Sequence, residues 1–175
     1  MNLIVAVSAK DWGIGCENAL LFHIPEDMKY FRATTKGKVV VMGHSTFKSL
    51  PGGKPLKYRT NIVLSRDTSL SIPDVIVCHS MDALFAQLKN YDTNDVFIIG
   101  GAVVYAELLN YCQKAYVTKI DAAMPADTFF PNIDAMPQWK LTQASEVKVH
   151  EGVPFQFCVY ENIRLPHLAP KELPI

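Results

Sequence analysis

Three runs of consecutive apolar residues constrain this chain more than any other feature: Leu3–Ile4–Val5–Ala6–Val7, Val39–Val40–Val41–Met42 and Val96–Phe97–Ile98–Ile99. None alternates apolar with polar. A strand with one wet face alternates, so these runs are strands buried on both faces. Further strands are expected over Thr60–Arg66, Val75–Cys78 and Ala115–Ile120. Leu141–His150 and Phe155–Asn162 alternate and suit an antiparallel hairpin. Ser80 is a good N-cap for a helix to Leu88, whose Met81, Leu84, Phe85 and Leu88 fall at i, i+3, i+4 and i+7.

Two of the buried runs end alike. Gly43–His44–Ser45–Thr46 leads into a short helix through Phe47 and Leu50, and Gly100–Gly101–Ala102 leads into a helix from Val103 to Leu109. Free backbone N–H groups at such a junction bind anions. Taken singly, the first is equally an ordinary helix capped by Ser45 or Thr46. Two junctions in one small domain point to a pyrophosphate held between two helix starts. The spacing is not the G-x-G-x-x-G fingerprint, so the standard dinucleotide fold is not expected.

Between the first two runs lie a long glycine-bearing loop, Ser8 to Ala19, and a helix opening at Pro25, whose missing N–H costs nothing there. Ile24, Asp27, Met28 and Phe31 share the spacing of one buried face. An acid in an apolar stripe is costly unless something pairs with it. Asp27 is either a first-turn acid favoured by the helix dipole or a functional carboxylate, and the helix alone does not decide.

The remaining composition excludes more than it proposes. One domain is expected for 175 residues. Zero net charge argues against a nucleic-acid or membrane-surface partner, both of which call for excess cations. No apolar run approaches a membrane span. The N-terminus enters a strand without a basic or cleavable segment. Cys16, Cys78, Cys112 and Cys158 form no C-x-x-C pair and read as reduced cytoplasmic thiols. His23, His44, His79, His150 and His167 lack ligand spacing, so no metal is expected.

In combination and order, Ile14–Gly15, Ile24–Pro25–Glu26–Asp27 with Phe31, Val41–Met42–Gly43, Pro51–Gly52, Arg59, Ile99–Gly100–Gly101, Tyr105, Thr118 and Asp127–Thr128–Phe130–Pro131 resemble the dihydrofolate reductase family, over nearly the whole chain to about Ile163. The resemblance implies an α/β fold with a predominantly parallel eight-stranded sheet flanked by four helices and an antiparallel C-terminal edge. It implies one domain over 1–163 and a proline-rich tail over 164–175. It also implies reduction of 7,8-dihydrofolate to tetrahydrofolate with NADPH, in a cytoplasmic monomer open to antifolate inhibitors.

By the same resemblance Asp27 is the active-site carboxylate that grips the pterin and favours protonation at N5, and Thr118 backs it. Phe22 stands where the family often has a tryptophan that holds a water near the substrate. Val5, Leu20, Met28, Phe31, Leu50, Leu56, Ile99 and Tyr105 line the substrate pocket. Arg59 takes the substrate's α-carboxylate in a two-pronged pair, with Arg32 at the rim. Cofactor contacts fall to Ala6, Val7, Ile14, Gly15, Asn18, Ala19, Gly43, His44, Ser45, Thr46, Leu64, Ser65, Arg66, His79, Ile99, Gly100, Gly101, Ala102, Val103, Val104 and Tyr105. The Gly100–Gly101 peptide is expected to be cis. His44 and Val103 replace cations that other members place near the 2′-phosphate, and Arg66 is expected to restore one. Three other readings compete. A serine hydrolase would use Gly43–His44–Ser45–Thr46–Phe47 as a nucleophile elbow, but Phe47 stands where that motif has glycine. A non-catalytic nucleotide-binding module has no need of Asp27. A related-fold pterin or pyrimidine reductase would not call for Arg59.

Overall fold

The computed structural model of the protein describes residues 1–165. In chain order the strands and helices are β1 (Asn2–Ser8), β2 (Gly13–Cys16), β3 (Ala19–Leu20), α1 (Pro25–Thr35), β4 (Val39–Gly43), α2 (His44–Ser49), β5 (Thr60–Leu64), β6 (Ile76–Cys78), α3 (Met81–Leu88), β7 (Val96–Gly100), α4 (Ala102–Leu108), β8 (Lys114–Ile120), β9 (Thr128–Phe129), β10 (Trp139–Ala144), β11 (Lys148–His150) and β12 (Val153–Asn162). Eight strands form the main sheet in the order β10-β12-β8-β1-β7-β4-β5-β6, with β11 added against β12. From β8 to β6 every pairing is parallel, and β12 and β10 close the other side antiparallel. This is the expected architecture.

The unbroken apolar runs lie where both faces are covered. Leu3, Val7, Val40, Val41, Met42 and Ile98 are fully buried. Consecutive side chains of a strand point to opposite faces, so a run that is apolar at every position buries both. Ser80 caps α3, its hydroxyl accepting the Ala83 N–H at 3.1 Å.

Three expectations need correction. The segment Ser8–Ala19 is not a plain loop: β2 and β3 form a hairpin, and β9 pairs with β2 to complete a small second sheet. Cys16 faces Ala19 across a two-residue turn, and Glu17 and Asn18 both hold positive φ. That is the backbone twist a tight hairpin favours. The stretch from Leu141 to His150 is interrupted between β10 and β11. The stripe on α1 is not core either. Ile24, just ahead of the helix, is buried, but Asp27, Met28 and Phe31 are half-exposed, and within α1 only Thr35 is buried. The stripe stays partly open to solvent. Of the tail, residues 166–175 lie outside the described residues.

The carboxyl ends of the parallel strands fix where chemistry can occur. The strands β4 and β7 are neighbours, and Met42 stands opposite Gly100 across a local irregularity in register. Both glycine junctions therefore emerge side by side. Open α/β sheets bind ligands outside such strand ends.

Candidate active site

Asp27 lies in the first turn of α1, against β8. Thr118, buried in β8, donates its hydroxyl to Asp27 Oδ1 at 2.6 Å. Burial raises the Asp27 pKa above the ordinary carboxylate value, and the Thr118 hydrogen bond opposes that rise. A carboxylate held in poor solvent by one hydroxyl is set for a ligand that offers N–H donors. Phe22 packs with Ile24, Ile120 and Phe155 and has no polar atom on its ring.

The other end of α1 holds a cation. Arg59 Nε donates to Thr35 Oγ1 at 2.8 Å, Nη1 to the Lys57 carbonyl at 2.8 Å and Nη2 to the Arg32 carbonyl at 3.3 Å. Its guanidinium carbon lies 5.8 Å from the Phe31 ring centroid. Thr35 in turn donates to the Phe31 carbonyl at 2.8 Å. A guanidinium has five N–H donors. Three are used here, leaving one on each terminal nitrogen, the arrangement a carboxylate takes two-pronged. Partial burial, and then the charge of Arg32, lower the Arg59 pKa.

The expected apolar lining residues are distributed as follows. Leu50, Leu56 and Ile99 pack on Val40, Met42, Phe47 and Val63. Leu20 is 57% exposed, at the end of the β2–β3 hairpin. Val5 is buried in β1. Tyr105 is buried and its hydroxyl is bound to the Ile4 carbonyl at 2.7 Å, so that hydroxyl is not free to donate to a ligand.

At the glycine junctions no side chain caps either helix start. Gly43 is the N-cap of α2 and Gly101 that of α4, and neither helix start has a side-chain cap. Ser45 and Thr46 lie inside α2. The reading of an ordinary Ser- or Thr-capped helix is thus replaced by open backbone N–H groups. The Gly100–Gly101 peptide is cis. A Cβ on Gly100, whose φ is 144°, would stand 3.0 Å from Thr46 Oγ1, and one on Gly101 3.1 Å from the same atom. On Gly43 it would lie 3.3 Å from Val104 Cγ2. Side chains here would fill the cradle between the two starts, which fits a pyrophosphate bound by backbone donors.

Gly43, Leu64 and Cys78 stand in register across β4, β5 and β6. The residues that follow, His44, Ser65 and His79, therefore leave adjoining strand ends, and His79 Nδ1 lies 3.1 Å from the Ser65 carbonyl oxygen. Arg66 is exposed beside them and Ala102 is half-buried, while Val103 is 64% exposed. On the opposite side Ala6 and Val7 continue β1, and Ile14, Gly15, Asn18 and Ala19 lie on the hairpin. Sequence reasoning assigned no role to Thr35 or Asp127. The Asp127 carboxylate accepts the Glu17 N–H at 2.8 Å, and the Asp127 N–H donates to the Gly15 carbonyl at 3.1 Å. These bonds tie the hairpin to β9. The hydrogen bond from Glu17 is the main cause holding the Asp127 pKa below its usual value.

The model of the dihydrofolate reductase family matches residues 1–162. The chain belongs to the dihydrofolate reductase family. It is 36% identical to a dihydrofolate reductase of Staphylococcus haemolyticus over 171 residues, covering 94% of this chain and 96% of that protein. It is 41% identical over 129 residues to dihydrofolate reductase type 3 of Salmonella typhimurium, covering 74% and 77% of the two chains. Among solved structures, the dihydrofolate reductase of Enterococcus faecalis complexed with NADP(H) and RAB-propyl superposes with a TM-score of 0.79 at 32% identity, over 91% of this chain and 94% of that one.

Proposed function

We propose that the cleft between Asp27 and Arg59 is where this chain reduces 7,8-dihydrofolate to tetrahydrofolate. The enzyme is an NADPH-dependent oxidoreductase of the dihydrofolate reductase family. The observation that carries the site assignment is the Asp27–Thr118 pair. Thr118 is the one side-chain partner of this half-buried acid among the described residues.

The Asp27 carboxylate accepts from the 2-amino group and N3 of the pterin. NADPH, when bound, supplies a hydride for C6. The negative charge of Asp27 makes a cationic N5 less costly, and the proton for N5 comes from water. Phe31, Met28, Leu50, Leu56 and Ile99 exclude solvent from the ring. Arg59 holds the α-carboxylate through its two free N–H groups, with Arg32 at the rim. The backbone donors around Gly43, Thr46 and Gly101 hold the pyrophosphate, and Arg66 with His44 and His79 reads the 2′-phosphate. The enzyme is a cytoplasmic monomer. Among the described residues no helix is long and apolar enough to cross a membrane, and the four cysteines are free.

The elbow reading is not favoured by its geometry, because Ser45 lies inside α2 and, among the described residues, its hydroxyl donates to no histidine. Purified protein should oxidise NADPH only when dihydrofolate is present, followed by absorbance. Ester hydrolysis lost in Ser45→Ala, with no folate-dependent oxidation, would overturn the proposal.

A further inference from the structure

Among the described residues, six that are not glycine hold a positive φ, and of these only Trp12 is buried. A bulky residue at a φ of 63° is an outlier, and it persists only where its surroundings over-determine it. Around Trp12 they do. Its N–H donates to the Ser8 carbonyl at 2.9 Å, and its carbonyl accepts the Phe130 N–H at 2.9 Å. Its ring stacks on that of Phe130, with centroids 6.2 Å apart. The Lys119 ammonium lies 5.0 Å from the Trp12 ring centroid. Lys119 also pairs with Asp134, whose carboxylate accepts the Tyr160 hydroxyl at 2.7 Å.

Trp12 is followed directly by β2. In the hairpin that opens there, Gly13 and Ile14 are buried, but no residue from Gly15 to Leu21 is. A Cβ on Gly13 would stand 2.8 Å from the Ala126 Cβ, so the root of the hairpin is closely seated. Beyond that root the hairpin is held by backbone pairing and by Asp127, with no buried side chain of its own. The packing that fixes its angle to the main sheet is therefore concentrated at Trp12 and Ile14. Core packing alone would account for a buried tryptophan. It would not place one at positive φ, nor set a cation whose side chain is only 23% exposed against its ring. A cation on an aromatic face contributes most where it is desolvated. Consecutive side chains of a strand point to opposite faces, so Lys119 lies across the sheet from Thr118 and its partner Asp27.

We propose that Trp12, held by Phe130 and Lys119, is a positioning residue that sets the β2–β3 hairpin over the nicotinamide end of the cofactor. The proposal rests on the reading of Ile14, Gly15, Asn18 and Ala19 as cofactor contacts. Trp12 touches no reacting group and acts through the hairpin that follows it. Its effect is confined to the nicotinamide half of NADPH, because the pyrophosphate cradle at Gly43 and Gly101 lies on other elements.

The test compares, by calorimetry, binding of NADPH with binding of adenosine 2′,5′-bisphosphate, the cofactor's adenosine half without nicotinamide. Lys119→Met keeps an apolar stem on the ring and removes the charge. It should weaken NADPH about two- to thirty-fold, the worth of one cation on an aromatic face. It should also slow single-turnover hydride transfer and leave the bisphosphate unchanged. Trp12→Gly, which relieves the backbone and removes the ring, should weaken NADPH further, again without effect on the bisphosphate. Trp12→Phe should recover most of that loss. NADPH affinity unchanged in Lys119→Met would overturn the positioning role, as would equal weakening of the two ligands or a Trp12→Phe protein as weak as Trp12→Gly. Should Trp12→Gly fail to fold, Lys119→Met decides by itself. Parent turnover of dihydrofolate with NADPH reports separately on the proposed reaction.

Discussion

The two ends of α1 use the same device with opposite sign. At one end a threonine hydroxyl donates to a carboxylate, Thr118 to Asp27 at 2.6 Å. At the other a threonine hydroxyl accepts from a guanidinium, Thr35 from Arg59 at 2.8 Å. Beyond that the ends diverge. Among the described residues Asp27 has one side-chain partner, and burial raises its pKa, so its charge is conditional on pH and on what binds. Arg59 is lowered by partial burial and by Arg32, but a guanidinium keeps its charge across the working range. Three of its donors are fixed to the scaffold. One end can respond to protonation, while the other supplies a permanent charge in a fixed orientation. The proposed function accordingly puts chemistry at the first and recognition at the second.

The strongest test of this contrast is Asp27→Asn, which keeps shape and removes charge. Acid–base assistance of this kind is worth about 10²–10⁴-fold in rate, and single-turnover hydride transfer at neutral pH should fall within that range. Acidification should narrow the gap, since substrate protonated in solution no longer needs the carboxylate. A rate equal to the parent's at neutral pH would make Asp27 only a helix-start acid. A deficit that acid does not narrow would leave it a purely positioning role.

The opposite end should answer in KM and not in rate. Charge-assisted hydrogen bonds contribute about 1.5–3 kcal/mol, so Arg59→Ala should raise the KM for dihydrofolate about 10- to 100-fold at near-constant kcat. A pterin without the glutamate tail should be unaffected. Equal loss with the truncated pterin would make Arg59 part of the scaffold that joins α1 to the turn at Tyr58, and the contrast between the ends would collapse.

This division was only partly legible in the sequence. The strands β1, β4 and β7 were plain because continuous apolar runs have one physical meaning. The spacing of Asp27, Met28 and Phe31 was equally plain, but spacing reports a shared side of a helix and not what that side meets. Here that side stays half-exposed, which separates these residues from core. The support of Arg59 by Thr35 could not be read, because the two lie 24 residues apart and a threonine in a last helical turn commonly bonds its own backbone. The β2–β3 hairpin was hidden by brevity. Gly13–Ile14–Gly15–Cys16 carries no alternation, and the turn Glu17–Asn18 lacks the glycine that usually marks one. Its anchor, Asp127, is 110 residues from Glu17.

Thr118→Val sharpens the comparison by removing the device at one end while leaving Asp27 in place. The hydrogen bond holds the pKa down against burial, so its loss should move the titration of the Asp27 carboxyl to higher pH, read by NMR of aspartate-labelled protein. Hydride transfer at neutral pH should fall about two- to ten-fold, the worth of one hydrogen bond. An unmoved titration would mean that Thr118 only packs against α1.

The smallest effect concerns stability, and its sign distinguishes the two ends. The Asp27 pKa is raised in the folded protein by burial, so the native state binds the Asp27 proton more tightly than the unfolded chain does. Stability rises with pH only where the unfolded state binds more protons, and here the inequality is reversed. Below the unfolded carboxylate pKa, about 3.9 for aspartate, Asp27 is neutral in both states and costs nothing. As pH rises toward the folded value, the native state must desolvate a charge that the unfolded chain leaves in water, and stability is lost. At neutral pH the free enzyme therefore carries Asp27 as a burden. Asp27→Asn, the variant expected to be slowest in hydride transfer, should melt above the parent at pH 7, and the two curves should converge in acid. Arg59→Ala should melt below its parent across the same range, because it removes three scaffold bonds and no titration intervenes. Thermal melts of the three ligand-free proteins between pH 4 and 8 decide the matter. An Asp27→Asn protein less stable than the parent at pH 7 would show that the carboxylate is held by more than Thr118, and that the two ends are built alike.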